Sequence, residues 1–335
     1  MGLVLIVWAP GPTWRCAMGG EQIVEVEDLV VEYGRGRNVV RAVDGVSFSV
    51  ARGECVGFIG ANGAGKSSTI KTMMGFLFPA AGSVTVFGEK AGTTDSRRRM
   101  GYLPEVALYY PFMKARELLE LYGGLAGLSR AALRQRIPTL LAELGLEGRG
   151  ESLLKNFSKG MQQRLGIAQA IIADPELLVF DELSSGLDPL GRFDLRQVLL
   201  EIKQRGRTIF FSSHELSEVE SLCDRVVIVD RGRVVKQAPM AEMMGPLTEF
   251  EVLFRMADGA APPPEVAALQ PDRDGESLRV VTRDAAVFAG ALEALAAAGA
   301  RIISTSNRSR SLEEYFINLV RPAGNASATE SPAQR

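Results

Sequence analysis

An α/β fold is what this 335-residue sequence predicts: a mostly parallel sheet covered by helices, with a helical segment inserted and a small α+β unit appended. Three observations predict it. From Ile23 to about Met240, short β-branched runs alternate with longer helical patterns, as in a parallel sheet with helices on its faces. Between Phe112 and Arg164 the β signal disappears and leucines recur at helical spacing. After Gly245 the character shifts again, with short strands and one alanine-rich helix around the Pro262 to Pro264 run.

The elements follow in order. Candidate strands are IVEVEDLVVEY at 23–33, VSFSV at 46–50, ECVGFIG at 54–60, SVTVFG at 83–88, LLVFD at 177–181, TIFFSS at 208–213 and RVVIVDRGRVV at 225–235. Within the last, DRGR at 230–233 reads as a hairpin turn in which Gly232 is free to take positive φ. ARELLELYGGL and RAALRQRIPTLLAELGL read as two helices of the insert. Behind them come FEVLF, a proline linker at 262–264, SLRVVT, a helix near 285–298, RIISTSN and the helical SLEEYFINLV. The expected organisation is an extension at 1–20 outside the fold, a main domain at 21–245 with its helical insert at about 108–170, a small accessory domain at 246–321, and a disordered tail at 322–335 of small polar residues.

Composition narrows the function classes. With 46% hydrophobic residues the chain can bury one full-sized core and a smaller second one. A formal net charge of −2 gives no electrostatic footprint for phosphate backbones, so nucleic acid is not an expected partner. Cys16, Cys55 and Cys223 are far apart and odd in number, with only His214 to complete a metal site; they read as free thiols of a reducing cytosol. No window reaches the roughly 18 to 20 apolar residues that span a bilayer, so any membrane role requires partner chains. The apolar run Leu3 to Trp8 lacks a basic lead-in and is too short for a secretory core. Both tryptophans, Trp8 and Trp14, lie in this extension, and Met18 is the expected natural start.

GANGAGKSS, residues 60–68, matches GxxxxGK[ST], directly follows an apolar strand and precedes a helical pattern. Gly60, Gly63 and Gly65 let backbone N–H groups turn toward phosphate oxygens, and the helix N-terminus adds roughly half a positive charge there. Lys66 is then placed to reach the β and γ phosphates and Ser67 to ligate Mg²⁺, with Asn62, Ala64 and Ser68 completing the candidate ATP-binding run. A phosphate cradle alone does not separate a kinase from a GTPase or a motor.

ELLVFDELSSGLDP, residues 176–189, is an apolar strand ending in adjacent acids. Burying unpaired carboxylates is costly, so Asp181 and Glu182 must face a cation or a cleft, and the carboxyl edge of a parallel sheet is where ligands sit. Asp181 is the candidate for the Mg²⁺ shell, and Glu182 the base that polarises an attacking water. His214, the only histidine, follows the third apolar strand, TIFFSS, at the same edge. Ser212 to Glu215 fits the S-x-x-E capping box that opens a helix. An imidazole there can hydrogen-bond a γ-phosphate or the hydrolytic water.

With NFSKGMQQRLGIAQAII at 156–172 added, residues 23 to about 240 resemble the nucleotide-binding subunit of ABC transporters, whose signature segment LSGGQ this run is similar to. The resemblance implies a P-loop NTPase, ABC-type ATPase domain with a β-rich N-terminal subdomain, a RecA-like core and an inserted α-helical subdomain. It implies that Ser158, Gly160 and Met161 contact ATP held by a second subunit. Lys159 and Met161 depart from the consensus Gly and Gln in the manner of the SKGM version common among ABC-2 exporters. Tyr33 sits where the family stacks an aromatic ring on adenine. Glu105, in GYLPE, replaces the family's Mg²⁺- and water-touching Gln, and Asp188 of SGLDP is the candidate for communication across the dimer.

The resemblance therefore implies ATP and Mg²⁺ as cofactors, a homodimer or a pair with a close relative, integral membrane permease subunits as partners, and a peripheral position on the cytoplasmic face of the plasma membrane. The implied activity is ATP hydrolysis coupled to export, with Lys66, Glu182 and His214 as catalytic residues. A soluble ABC-type ATPase acting on ribosomes or DNA is the rival reading, though such chains usually carry two cassettes or a long coiled coil. A small-molecule kinase leaves FSKGMQQR and His214 unexplained.

Overall fold

The computed structural model describes residues 20–34, 36–244, 249–256, 260–308, 312–313 and 315–316. The expectations for residues 1–19, with Trp8, Trp14, Cys16 and the start at Met18, and for the tail at 322–335 lie outside the described residues.

In chain order the strands are β1 (Gln22–Tyr33), β2 (Val40–Ala51), β3 (Cys55–Ile59), β4 (Ala81–Val86), β5 (Glu89–Lys90), β6 (Met100–Leu103), β7 (Leu177–Asp181), β8 (Thr208–Ser213), β9 (Arg225–Asp230), β10 (Arg233–Pro239), β11 (Glu249–Arg255), β12 (Asp272–Asp274), β13 (Ser277–Thr282) and β14 (Arg301–Arg308). The helices are α1 (Lys66–Met73), α2 (Thr94–Arg98), α3 (Ala115–Leu125), α4 (Arg130–Glu143), α5 (Lys159–Ile171), α6 (Pro189–Gln204), α7 (Leu216–Leu222), α8 (Met240–Met244), α9 (Pro264–Ala267) and α10 (Ala285–Ala297).

Three sheets form. The first is antiparallel, in the order β2-β1-β4-β5. The second carries the order β10-β9-β3-β8-β7-β6, parallel throughout except for the β9–β10 hairpin. At the turn of that hairpin both Arg231 and Gly232 take positive φ, 47° and 79°, the pair of left-handed residues that matches strand twist in a two-residue turn. The third sheet, β12-β13-β11-β14, is antiparallel and buries Val252, Phe254 and Val280 beneath α9 and α10.

Parallel strands covered on both faces need apolar residues on both, and these have them. Along β7, Leu177 and Val179 join the core shared with the first sheet, while Leu178 and Phe180 join the core shared with α3 to α7. Phe48 of β2 meets Phe58 and Phe210 at centroid separations of 5.3 and 5.5 Å, pinning the antiparallel sheet onto the parallel one. The insert packs through Leu118, Leu119, Leu133, Ile137 and Leu140 into that same second core.

Two local expectations are corrected. The Ser212 to Glu215 capping box does not form: α7 begins at Leu216, its N-cap is Glu215 without a side-chain cap, and Ser212 is spent inside the site. The proline run is not all linker, because Pro264 opens the one-turn helix α9, where its missing N–H costs nothing.

Candidate nucleotide site

Register brings the site together. In the parallel ladder Ile59 pairs with Ser213 and Asp181 with Ser212, so β3, β8 and β7 end side by side and deliver their following residues to one rim. The loop after β3 turns through Gly65, whose φ of 100° is a left-handed value that L side chains avoid, into the first turn of α1. A Cβ on Gly60 would stand 2.3 Å from the Val229 carbonyl oxygen, so only glycine fits there. The first turn of α1 leaves N–H groups without intrahelical acceptors, the usual anion-binding arrangement.

Lys66 is 5% exposed. Its ammonium donates to the Gly60 carbonyl at 2.7 Å and the Ala61 carbonyl at 3.3 Å, and pairs with Glu182 Oε1 at 3.1 Å. The other Glu182 oxygen lies 2.5 Å from His214 Nδ1. Lys66, Glu182 and His214, drawn from three segments, thus form one contiguous chain. With Nδ1 committed to the carboxylate, Nε2 is the imidazole atom left to face a ligand, and the side chain is 47% exposed. Glu182 holds φ at 51°, an uncommon left-handed value for a non-glycine residue, which turns the chain sharply off β7.

Asp181 is buried, and Oδ1 accepts from Ser67 Oγ at 3.2 Å and Ser212 Oγ at 2.7 Å. Ser212 Oγ also accepts from the Glu182 N–H at 3.0 Å, so one hydroxyl positions both acids. The sequence reading missed this role of Ser212; the signal was a hydroxyl at the end of a strand aligned with the acids. Among the described residues Asp181 has no ion-pair partner, and its charge is felt nearby: burial, then Asp181, push the Tyr102 phenol up to about 12. A buried carboxylate bonded only to hydroxyls fits a hard divalent cation, and Mg²⁺ characteristically takes few protein ligands.

The remaining candidates lie as follows. Tyr33, at the end of β1, shares a 3.0 Å hydrogen bond with Ser68 and keeps much of its ring exposed. Ala64 is buried, and its carbonyl accepts from the Gly232 N–H, while Asn62 and Gly63 are exposed on the loop. Ser158 caps α5 by accepting from the Met161 N–H at 3.3 Å, with Gly160 between them. Among the described residues nothing bonds this segment to residues 60–68. Asp188 is exposed and caps α6, accepting from the Gly191 N–H at 2.9 Å. Glu105 is exposed beyond β6 and, among the described residues, makes no hydrogen bond or ion pair with Ser67 or Asp181.

Comparison with known proteins gives the family. The profile of the ABC transporter family matches residues 43–185. An uncharacterized ABC transporter ATP-binding protein of Nostoc sp. is 37% identical over 303 residues, covering 89% of this chain and 90% of that one. The Nod factor export ATP-binding protein I of Ralstonia nicotianae is 33% identical over 319 residues, covering 92% and 96%. Among solved structures, an ATP-binding subunit of an ABC transporter matches with 37% identity and a TM-score of 0.60 over 66% of this chain and 91% of that chain. Among the described residues no helix is long and apolar enough to cross a membrane. The chain belongs to the ABC transporter ATP-binding proteins, and it is an ATP-binding, ATP-hydrolysing subunit of such a transporter.

Proposed function

We propose that this subunit powers export through separate membrane subunits, working as one half of a two-fold pair that holds ATP between Lys66 of one chain and the Ser158 to Met161 segment of the other. The observation that carries the hydrolytic part is the continuous Lys66–Glu182–His214 chain beside the Asp181–Ser67 pair. The Nod factor export ATP-binding protein of Ralstonia nicotianae supports the direction of transport.

In this reading Lys66 and the N–H groups at the start of α1 bind the phosphates, and Tyr33 supports the adenine. Ser67 and Asp181 would hold Mg²⁺, which would supply positive charge against the phosphates. Glu182 orients a water toward the γ-phosphorus and takes its proton as the new P–O bond forms and the bond to ADP breaks. The proton then passes to the phosphate product or to solvent. His214, steered by Glu182 through Nδ1, presents Nε2 to the γ-phosphate or the water. Because the Ser158 segment does not meet the cradle of its own chain, a second subunit supplies it. Asp188, exposed at the N-cap of α6, faces that second subunit.

A partner surface follows Glu105. Val106, Leu108, Tyr110 and Phe112 are all exposed, Leu108 at 89% and Phe112 at 77%, an apolar run that a solvated loop does not need. This supports docking of membrane permease subunits against the insert, and with it a peripheral position on the cytoplasmic face.

Glu182→Gln tests the hydrolytic assignment. The variant is expected to bind ATP, lose turnover by about 10²- to 10⁴-fold as for a missing general base, and accumulate as a nucleotide-bound dimer in size-exclusion chromatography. Normal turnover refutes the role of Glu182; a variant that binds ATP yet stays monomeric refutes the sandwich.

A further inference from the structure

Behind the hydrolytic residues lies a carboxylate that ATP chemistry does not require. Glu218, on α7, lines a largely apolar recess together with Leu183, Leu195, Leu199, Phe211 and Leu222, and Arg192 and Arg196 border the same recess. Its Oε2 accepts from Ser184 Oγ at 2.7 Å, while Oε1 is buried with no hydrogen-bond partner among the described residues. Burial in the recess raises its pKa, against the opposing effects of Ser184, Arg192 and Arg196. The two guanidinium groups offset part of the charge, but leaving one carboxylate oxygen without a hydrogen bond is still costly, and an apolar side chain there would avoid the cost.

The bond spans two parts of the site. Ser184 stands two residues after Glu182, in a segment of successive turns: the Ser185 N–H donates to the Glu182 carbonyl and the Leu187 N–H to the Ser184 carbonyl. That segment runs from the base to Asp188, and Gly186 within it lies against the Lys159 side chain from the start of α5. Glu218 sits one turn beyond His214. A second bridge runs parallel to the first: Arg192 donates to the Leu187 carbonyl at 3.1 Å and pairs with Glu215 at 2.6 Å, and Glu215 lies 3.9 Å from His214 Nε2. The segment and α7 are therefore tied at both ends.

We propose that Glu218 is a positioning residue for hydrolysis: through Ser184 it locks the Glu182 to Asp188 segment to α7, the helix that directly follows His214, so that displacement of Asp188 by a second subunit reaches the Glu182–His214 pair. The inference rests on the hydrolytic reading of that pair. Glu218 touches neither substrate nor metal, and its effect is on alignment.

The test is a mutant cycle on the full chain, measuring kcat, KM for ATP, the Hill coefficient for ATP, and thermal unfolding. Ser184→Ala and Glu218→Ala are each expected to lower kcat about tenfold, the scale of one hydrogen bond to a charged group, with KM changed less than about twofold and the Hill coefficient moved toward one. The double variant is expected to be no slower than either single one. Glu218→Gln, whose amide oxygen still accepts from Ser184, is expected to recover most of kcat. Where an alanine variant unfolds below the assay temperature, Ser184→Cys keeps the size with a weaker donor and is expected to fall between wild type and alanine. Multiplicative losses in the double variant, unchanged kcat, or no recovery in Glu218→Gln would overturn the proposal. If Glu182→Gln traps a dimer while the Glu218 variants turn over normally, only this inference fails.

Discussion

Gly160→Ala separates a structural from an intersubunit role for the start of α5. Gly160 is the second residue of that helix, and a Cβ built on it meets nothing nearer than Leu187 Cδ2 at 4.0 Å, an ordinary van der Waals distance. Within one chain the added methyl is therefore free of clash, and replacing glycine by alanine in a helix stabilises it by about 0.5–1 kcal/mol. For a domain of this size that corresponds to a rise in Tm of roughly 1–4 °C. The outcome differs if a phosphate from a second subunit approaches. A backbone N–H meets an oxygen at about 2.9 Å, whereas a methyl carbon holds it off at about 3.5–4 Å, so the phosphate is displaced by on the order of 1 Å. Losing one charge-assisted hydrogen bond costs about 1.5–3 kcal/mol, or roughly 10- to 150-fold in turnover. Thermal unfolding and steady-state ATP hydrolysis on the same preparation, followed by dimer trapping in a Glu182→Gln background, read both quantities. Wild-type turnover with a raised Tm refutes the approach of a phosphate, and lost turnover with a lowered Tm refutes the claim of free space.

Two further outcomes follow from buried charges. Glu54 and Arg225, both 8% exposed, form a two-point pair in which Arg225 Nε donates to Oε1 at 2.6 Å and Nη2 to Oε2 at 3.0 Å, and Glu54 also accepts from the Ala51 N–H. Glu54→Ala strands the guanidinium and is expected to cost about 3–5 kcal/mol in denaturant unfolding, while Glu54→Met with Arg225→Met together cost far less; a single-variant loss below about 1 kcal/mol contradicts this. Glu218 has a raised pKa because it is buried, so the folded state holds its proton more tightly than the unfolded chain does. The stability this contributes is fully present below the unfolded value, about 4.3, and is lost as pH rises through the higher folded value. The Tm of Glu218→Gln relative to wild type is thus expected to increase with pH across the acidic range, and a difference that is flat with pH removes the basis for it.

Much of this protein is written locally. GANGAGKSS after ECVGF declares a strand, a phosphate loop and a helix because glycine conformation, a helix N-terminus and a lysine act over a few residues. LLVFD and TIFFSS declare buried strands through unbroken apolar runs, and the acids and His214 follow at their ends. What only the tertiary structure decided is which strands are neighbours and in what register. The alignment of Ile59 with Ser213 and of Asp181 with Ser212 places Lys66, Glu182 and His214 in one hydrogen-bonded chain. Ser212 shows the limit of local reading: the capping pattern is present, but the hydroxyl bonds Asp181 and the Glu182 N–H, 31 and 30 residues away, because buried polar groups there must be satisfied first. The Ser184–Glu218 bond and the left-handed backbone at Glu182 were illegible for the same reason. Pairings between distant segments are fixed by packing the whole sheet, and a linear pattern carries only the propensities of near neighbours.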